Sequence, residues 1–139
     1  MTVTPQGNPL QQFSTLEQHR ILVIEDMPAL QAHIAETLAE LGESVVVHKA
    51  NDGREALQMI EATKPYQLIM CDIIMPRLDG EAVLTELRRR DYPAAVIMLT
   101  ALGQDDMIVR CLRQGACDYL VKPVGIDELT AAAANALQH

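Results

Sequence analysis

The run Leu68-Ile69-Met70-Cys71-Asp72-Ile73-Ile74-Met75-Pro76, followed by Asp79-Gly80, decides how the chain is read. Its first four residues are apolar and do not alternate, so the strand they form has both faces covered. An acid ends the run. Asp79-Gly80 then opens a segment of helical period, Val83, Leu84 and Leu87, which closes on Arg88-Arg89-Arg90. The same unit recurs on either side. Ile21-Leu22-Val23-Ile24 precedes the stripe Leu30, Ile34, Leu38 and Leu41, held between Pro28 and Gly42. Val45-Val46-Val47 precedes Ala56, Leu57 and Ile60, which stop before Pro65. Val96-Ile97-Met98-Leu99 precedes Ile108, Cys111 and Leu112, closed by Gly115. Tyr119-Leu120-Val121 precedes Leu129, Ala133, Ala136 and Leu137. A strand and a helix thus alternate five times. Right-handed crossovers make that a doubly wound α/β fold: a parallel five-stranded sheet with five helices on its two faces. Residues 1–19, with Gln, Thr and Pro and weak periodicity, read as a flexible N-terminal tail, and 20–139 as one domain.

The size agrees, since 139 residues make one domain of ordinary length. Hydrophobic residues at 49% exclude intrinsic disorder. Aromatics at 3%, with no Trp and a single Phe, exclude a base-stacking or carbohydrate platform. The 11 basic against 19 acidic residues leave a net charge of −8, which phosphate backbones and anionic lipids repel. Neither direct nucleic-acid binding nor a membrane partner is expected. No apolar run approaches the ~18 residues of a membrane span. Three cysteines, Cys71, Cys111 and Cys117, have no metal-binding spacing and read as reduced thiols of a cytoplasmic protein. The arginine triplet reads as solvated cations complementing a helix C-terminus rather than as a phosphate site.

Ligands of open α/β sheets bind outside the carboxyl ends of the strands. Glu25 and Asp26 follow the first strand, Asp72 the third, Thr100 the fourth, and Lys122-Pro123 the fifth. The second is followed by His48-Lys49-Ala50, which offers nothing comparable. Adjacent strands lie ~4.8 Å apart, so the three acids crowd if strands one and three are neighbours. Two carboxylates ~4 Å apart repel by roughly 4 kcal/mol at an effective dielectric of 20. Three of them require a cation, a shared proton, or both. Lys122 supplies one charge. An all-oxygen set without His or Cys favours Mg²⁺ for the rest.

With these residues in view, the chain resembles the receiver domains of bacterial two-component response regulators over residues 20–138. Glu25-Asp26 is similar to the family's acidic pair. Asp72 within Cys71-Asp72-Ile73-Ile74-Met75-Pro76 and Asp79-Gly80 resembles the phospho-acceptor motif. Thr100-Ala101 resembles the hydroxyl residue and its small follower, and Tyr119-Leu120-Val121-Lys122-Pro123 the switch aromatic and the lysine. The resemblance implies a flavodoxin-like sheet in the order 2-1-3-4-5. It implies a phosphorylation-dependent switch rather than a turnover enzyme, with Asp72 taking a phosphoryl group from a histidine kinase or phosphotransfer protein. Asp26, Asp72 and the Ile74 backbone carbonyl would hold Mg²⁺, with Glu25 acting through water. Lys122 and Thr100 would bind phosphoryl oxygens, and Ala101 would leave room for them. Thr100 and Tyr119 would be the switch pair, and the bond to Pro123 would be cis. The output surface, or a dimer contact, would be the fourth helix, fifth strand and fifth helix.

Three departures and alternatives accompany this. Met27 stands where relatives carry an acid or Asn. Ile74 and Leu102, flanking the acceptor, are apolar, which implies slower loss of the phosphoryl group. A haloacid-dehalogenase-type phosphatase needs an acid two residues after its nucleophile, where this chain has Ile74. A flavodoxin's first loop would not carry Glu25 and Asp26. A degenerate receiver used only for interaction is the remaining alternative.

Overall fold

The computed structural model describes residues 18–138. Its elements are β1 (His19–Ile24), α1 (Pro28–Ala39), β2 (Val45–Ala50), α2 (Gly53–Ala62), β3 (Leu68–Asp72), α3 (Gly80–Arg89), β4 (Ala95–Thr100), α4 (Asp105–Arg113), β5 (Asp118–Val121) and α5 (Ile126–Leu137). All strand pairs are parallel, in the order β2-β1-β3-β4-β5. This is the flavodoxin-like topology, with β1 beside β3 at the point where the order reverses. The tail reading falls almost wholly outside the described residues. His19, grouped with it above, opens β1: its N–H donates to the Ser44 carbonyl at 2.9 Å, and it pairs with Val45.

The unbroken apolar runs are explained by two cores. Leu22, Ile24, Ile69, Cys71, Val96 and Met98 face one side, against Ala56, Ile60, Val83, Leu84, Leu87 and Ile108 of α2, α3 and α4. Their neighbours Ile21, Val23, Leu68, Met70, Ile97 and Leu99 face the other, against Ile34 and Leu38 of α1 and Leu129 and Ala133 of α5. Each side chain thus leaves water whichever way the strand turns it.

Coverage of both faces holds for β1, β3 and β4 but not for the edges. Residues 45–48 of β2 are only half-buried, because an edge strand has one neighbour. In β5, Leu120 is buried while Tyr119 and Val121 on the other face are exposed. The edge also corrects the reading of His48, Lys49 and Ala50. They do not follow the second strand but complete it, paired with Leu22, Val23 and Ile24. Leu112 is exposed rather than part of the α4 core stripe.

The arginine triplet divides. Arg89 and Arg90 pair with Glu86, and Arg90 with Glu61, in solvent. Arg88 is only half-exposed: its guanidinium donates to the carbonyls of Tyr92, Ala94 and Gly115 at 3.1–3.3 Å, tying the end of α3 to β4 and the end of α4. Asp52 and Asp79 cap α2 and α3, each accepting a backbone N–H at 2.9 Å. The Lys122–Pro123 bond is cis, as expected. Among the described residues no helix is long and apolar enough to cross a membrane.

Candidate functional site

Strand register brings the chemistry to one edge. Val23 pairs with Met70 and Ile24 with Cys71, so extending β1 by one residue sets Glu25 beside Asp72. Asp72 pairs in turn with Leu99, and Thr100 with Val121. Lys122 follows immediately, its N–H donating to the Thr100 carbonyl at 2.7 Å. The β3–α3 loop folds back tightly over this end. The Gly80 N–H donates to the Ile73 carbonyl at 2.8 Å, and a Cβ on Gly80 would lie 2.1 Å from the carbonyl oxygen of Asp72.

One carboxylate oxygen each of Glu25, Asp26 and Asp72 lies within 4.8 Å of the other two. Glu25 and Asp72 are buried, and Asp26 is exposed. The Lys122 ammonium stands 2.8 Å from Asp72 Oδ2 and 3.1 Å from Glu25 Oε1. The first contact is a hydrogen bond. The second pairs two charges without hydrogen-bond alignment, so Oε1 is a buried oxygen lacking a hydrogen-bond partner. Oε2 accepts the Met27 N–H at 3.0 Å. Burial pushes the Glu25 carboxyl up to about 7; the Met27 N–H opposes this, the Asp72 charge adds to it, and Lys122 opposes it. Burial alone would lower Lys122, but its hydrogen bond to Asp72 and the charges of both acids prevail and raise it.

This arrangement suits a hard divalent cation. Three carboxylates face one ammonium, every donor is oxygen, and a buried carboxylate oxygen has unused lone pairs. The Ile74 backbone belongs to the loop directly after Asp72, and its side chain is exposed. Met27, two residues after Glu25, and Leu102, two after Thr100, also present exposed apolar side chains, and Ala101 is small and exposed. Met27 thus contributes its backbone, not its side chain. Tyr119 is 40% exposed on β5.

Three positioning groups were not visible in the sequence. Gln31, buried on α1, donates from its amide to the carbonyls of Glu25 and Ala50 and to Asn51 Oδ1, each at 3.0 Å, fixing the turn that carries the acids. Arg77, in the β3–α3 loop, holds a left-handed φ of 67° while paired to Asp52 at 2.7 Å. Gln104 accepts at its Oε1 from the Thr100 hydroxyl at 2.7 Å and the Ala101 N–H at 3.0 Å. The partner of Arg77, Asp52, did have a signal in the sequence, an acid just before an amphipathic run.

The comparisons with known proteins agree with this geometry. The family model described as the response regulator receiver domain matches residues 21–134. The chemotaxis protein CheY of Bacillus subtilis is 34% identical over 114 residues, 82% of this chain and 93% of that protein. The transcriptional regulatory protein PdtaR of Mycobacterium tuberculosis is 38% identical over 113 residues, 81% of this chain but only 54% of PdtaR. The chain therefore spans about half of that longer relative. Among solved structures, the signal receiver domain of a putative LuxO repressor protein from Vibrio parahaemolyticus superposes with a TM-score of 0.79 at 35% identity, over 87% of this chain and 91% of that one. The chain belongs to the response regulator receiver domains of two-component systems, and its function is that of a phosphorylation-dependent signalling switch.

Proposed function

We propose that Asp72 is the phospho-acceptor of this switch. The observation that carries the reading is the placement of its buried carboxylate, 2.8 Å from the Lys122 ammonium and within 4.8 Å of the Glu25 and Asp26 oxygens. An Asp72 oxygen attacks the phosphorus of a phosphohistidine on a histidine kinase or phosphotransfer protein. The P–N bond breaks, its electron pair returns to the imidazole, and an acyl phosphate remains on Asp72. Asp26, Asp72, the Ile74 carbonyl and, through water, Glu25 are the residues that would hold Mg²⁺. Such an ion, when bound, neutralises charge developing on the transferred group. Lys122 pairs with one phosphoryl oxygen, the Thr100 hydroxyl donates to another, and Ala101 leaves them room.

The new charge draws Thr100 and its loop toward the phosphoryl group, and Tyr119 turns inward into the space released. The surface so altered is α4, β5 and α5, where Val109, Leu112, Tyr119, Val121 and Ile126 are exposed. That apolar surface is the proposed contact for an output domain, a target protein or a second copy. The protein shares in its own phosphorylation and dephosphorylation and is not a turnover enzyme. Three free thiols, two of them buried, support a cytoplasmic location. The receiver domain in this reading starts at His19, where β1 opens.

Acetyl phosphate, or beryllofluoride, with Mg²⁺ tests the assignment. Wild type should gain one phosphoryl group by intact mass or bind the mimic, and Asp72→Asn should do neither while melting cooperatively. A well-folded Asp72→Asn protein that is still modified would refute it. No response in wild type would favour the interaction-only alternative.

A further inference from the structure

Gln104 stands at the N-terminal boundary of α4, but its side chain makes no hydrogen bond to that helix's own amides. It reaches back to the end of β4. Its Oε1 takes the Thr100 hydroxyl at 2.7 Å and the Ala101 N–H at 3.0 Å. Gln is not among the residues favoured at this boundary, where Ser, Thr, Asp or Asn would satisfy the first-turn amides. The helix gives up that cap, and the two donors at the phosphoryl site gain a shared acceptor.

We propose that Gln104 is a positioning residue of the phosphoryl site. Its carbonyl oxygen occupies the Thr100 hydroxyl and the Ala101 N–H until a phosphoryl oxygen displaces it. The inference rests on the assignment of Asp72 as acceptor. Thr100 is fully buried, so its hydroxyl needs an acceptor at all times. Among the described residues, the other acceptor in reach is the Ala101 carbonyl at 3.2 Å. A phosphoryl oxygen is charged and accepts more strongly than a neutral amide. The exchange therefore runs one way when Asp72 is modified and reverses when it is not.

The surroundings let that exchange move the helix. The Thr100 carbonyl is held by the Lys122 N–H, so the strand end stays fixed while the following loop shifts. Within residues 101–104, Leu102 is almost fully exposed. Gly103 has a φ of +88° and open space around its Cβ direction. Because Gln104 immediately precedes α4, release of its side chain frees the start of the helix that carries Val109 and Leu112. Phosphoryl occupancy and the position of α4 are thereby linked through one amide.

The test titrates the Mg²⁺-saturated protein with beryllofluoride and follows backbone amide resonances. Gln104→Ala removes the competing acceptor and should tighten binding about three- to tenfold, the worth of one modest hydrogen bond. Gln104→Glu keeps the acceptor and adds a charge that repels the mimic, so it should weaken binding about tenfold or more. In the unliganded state, Gln104→Ala should speed hydrogen exchange at the Ala101 amide. A purely structural role would weaken both variants in step with their melting temperatures. Unchanged or weaker binding by a Gln104→Ala protein that melts like wild type overturns the proposal and leaves Asp72 untouched. Absence of binding in wild type overturns the acceptor assignment, and this inference with it.

Discussion

Gly80→Ala should be among the most damaging single-methyl additions in the chain, and its cost can be worked from the turn it occupies. The new Cβ would lie 2.1 Å from the carbonyl oxygen of Asp72 and 2.9 Å from both the Asp72 carbonyl carbon and Ile73 Cα. Ordinary contact begins at 3.4 Å, so the loop must open by about 1.3 Å. All three obstacles are backbone, and none can rotate aside. Opening by that much breaks the hydrogen bond from the Gly80 N–H to the Ile73 carbonyl, worth about 1 kcal/mol. Residual overlap and displaced α3 packing bring the loss to about 3 kcal/mol or more, at the severe end for point mutations. With about 2.1 cal/mol/K per residue over the described chain, the unfolding entropy is about 0.25 kcal/mol/K. The melting temperature should therefore fall by about 12 °C. Gly42→Ala is the control, because its nearest contact is a Val45 methyl at 3.7 Å. It should shift the melt by no more than about 3 °C. Far-UV circular dichroism during heating and urea titration reads both. Protein that does refold should bind beryllofluoride more weakly, since the distortion begins at Asp72 itself. A Gly80→Ala protein within about 1 kcal/mol of wild type, with the mimic bound equally well, would refute the account of this turn.

Acid denaturation and phosphoryl lifetime give two further tests. The Glu55 N–H and then the Arg77 guanidinium hold the Asp52 carboxyl below its ordinary value of 3.8, against the opposing effect of burial. A depressed carboxylate contributes stability that is present above its unfolded value and lost as pH falls through the folded one. Asp52→Asn keeps the helix cap but loses the charge. It should cost about 0.5–1 kcal/mol at pH 7, given the exposure of Arg77, and the gap from wild type should close below about pH 4. A gap that does not narrow as pH falls below about 4 in urea titrations would reject this. Separately, Ile74 is half-exposed and Leu102 almost fully exposed, and apolar groups flanking the proposed acceptor neither bind nor orient a hydrolytic water. Ile74→Asn should shorten the lifetime of phosphorylated protein severalfold, measured by the decay of acyl phosphate after removal of the donor. Faster decay in wild type would contradict the role given to Ile74.

What could be read in advance, and what could not, divides along physical lines. Burial of both faces leaves a mark in composition, so β1, β3 and β4 announce themselves as apolar runs. An edge strand escapes that demand, which is why β2 continues through His48 and Lys49 with no apolar signal. The acids, Thr100 and Lys122 were legible because a parallel sheet sends every strand's carboxyl end to the same side. Their chemistry is also unusual enough there to be noticed. Arg77, Gln31 and Gln104 are different in kind. An amide or a guanidinium can bond to almost any carbonyl, and its partner is decided by loop geometry that no periodicity encodes. Gln104 looks in the sequence like an indifferent helix start, preceding Asp105-Asp106. Only the closed turn of residues 101–104 gives its Oε1 two donors at once. The residues proposed to perform the transfer are thus constrained by their chemistry and visible as letters. Those that hold its resting state are constrained only by reach, so any side chain of the right length and polarity can serve. Regulation in this fold can accordingly change by single substitutions at such positions while the acceptor, the lysine and the hydroxyl stay fixed.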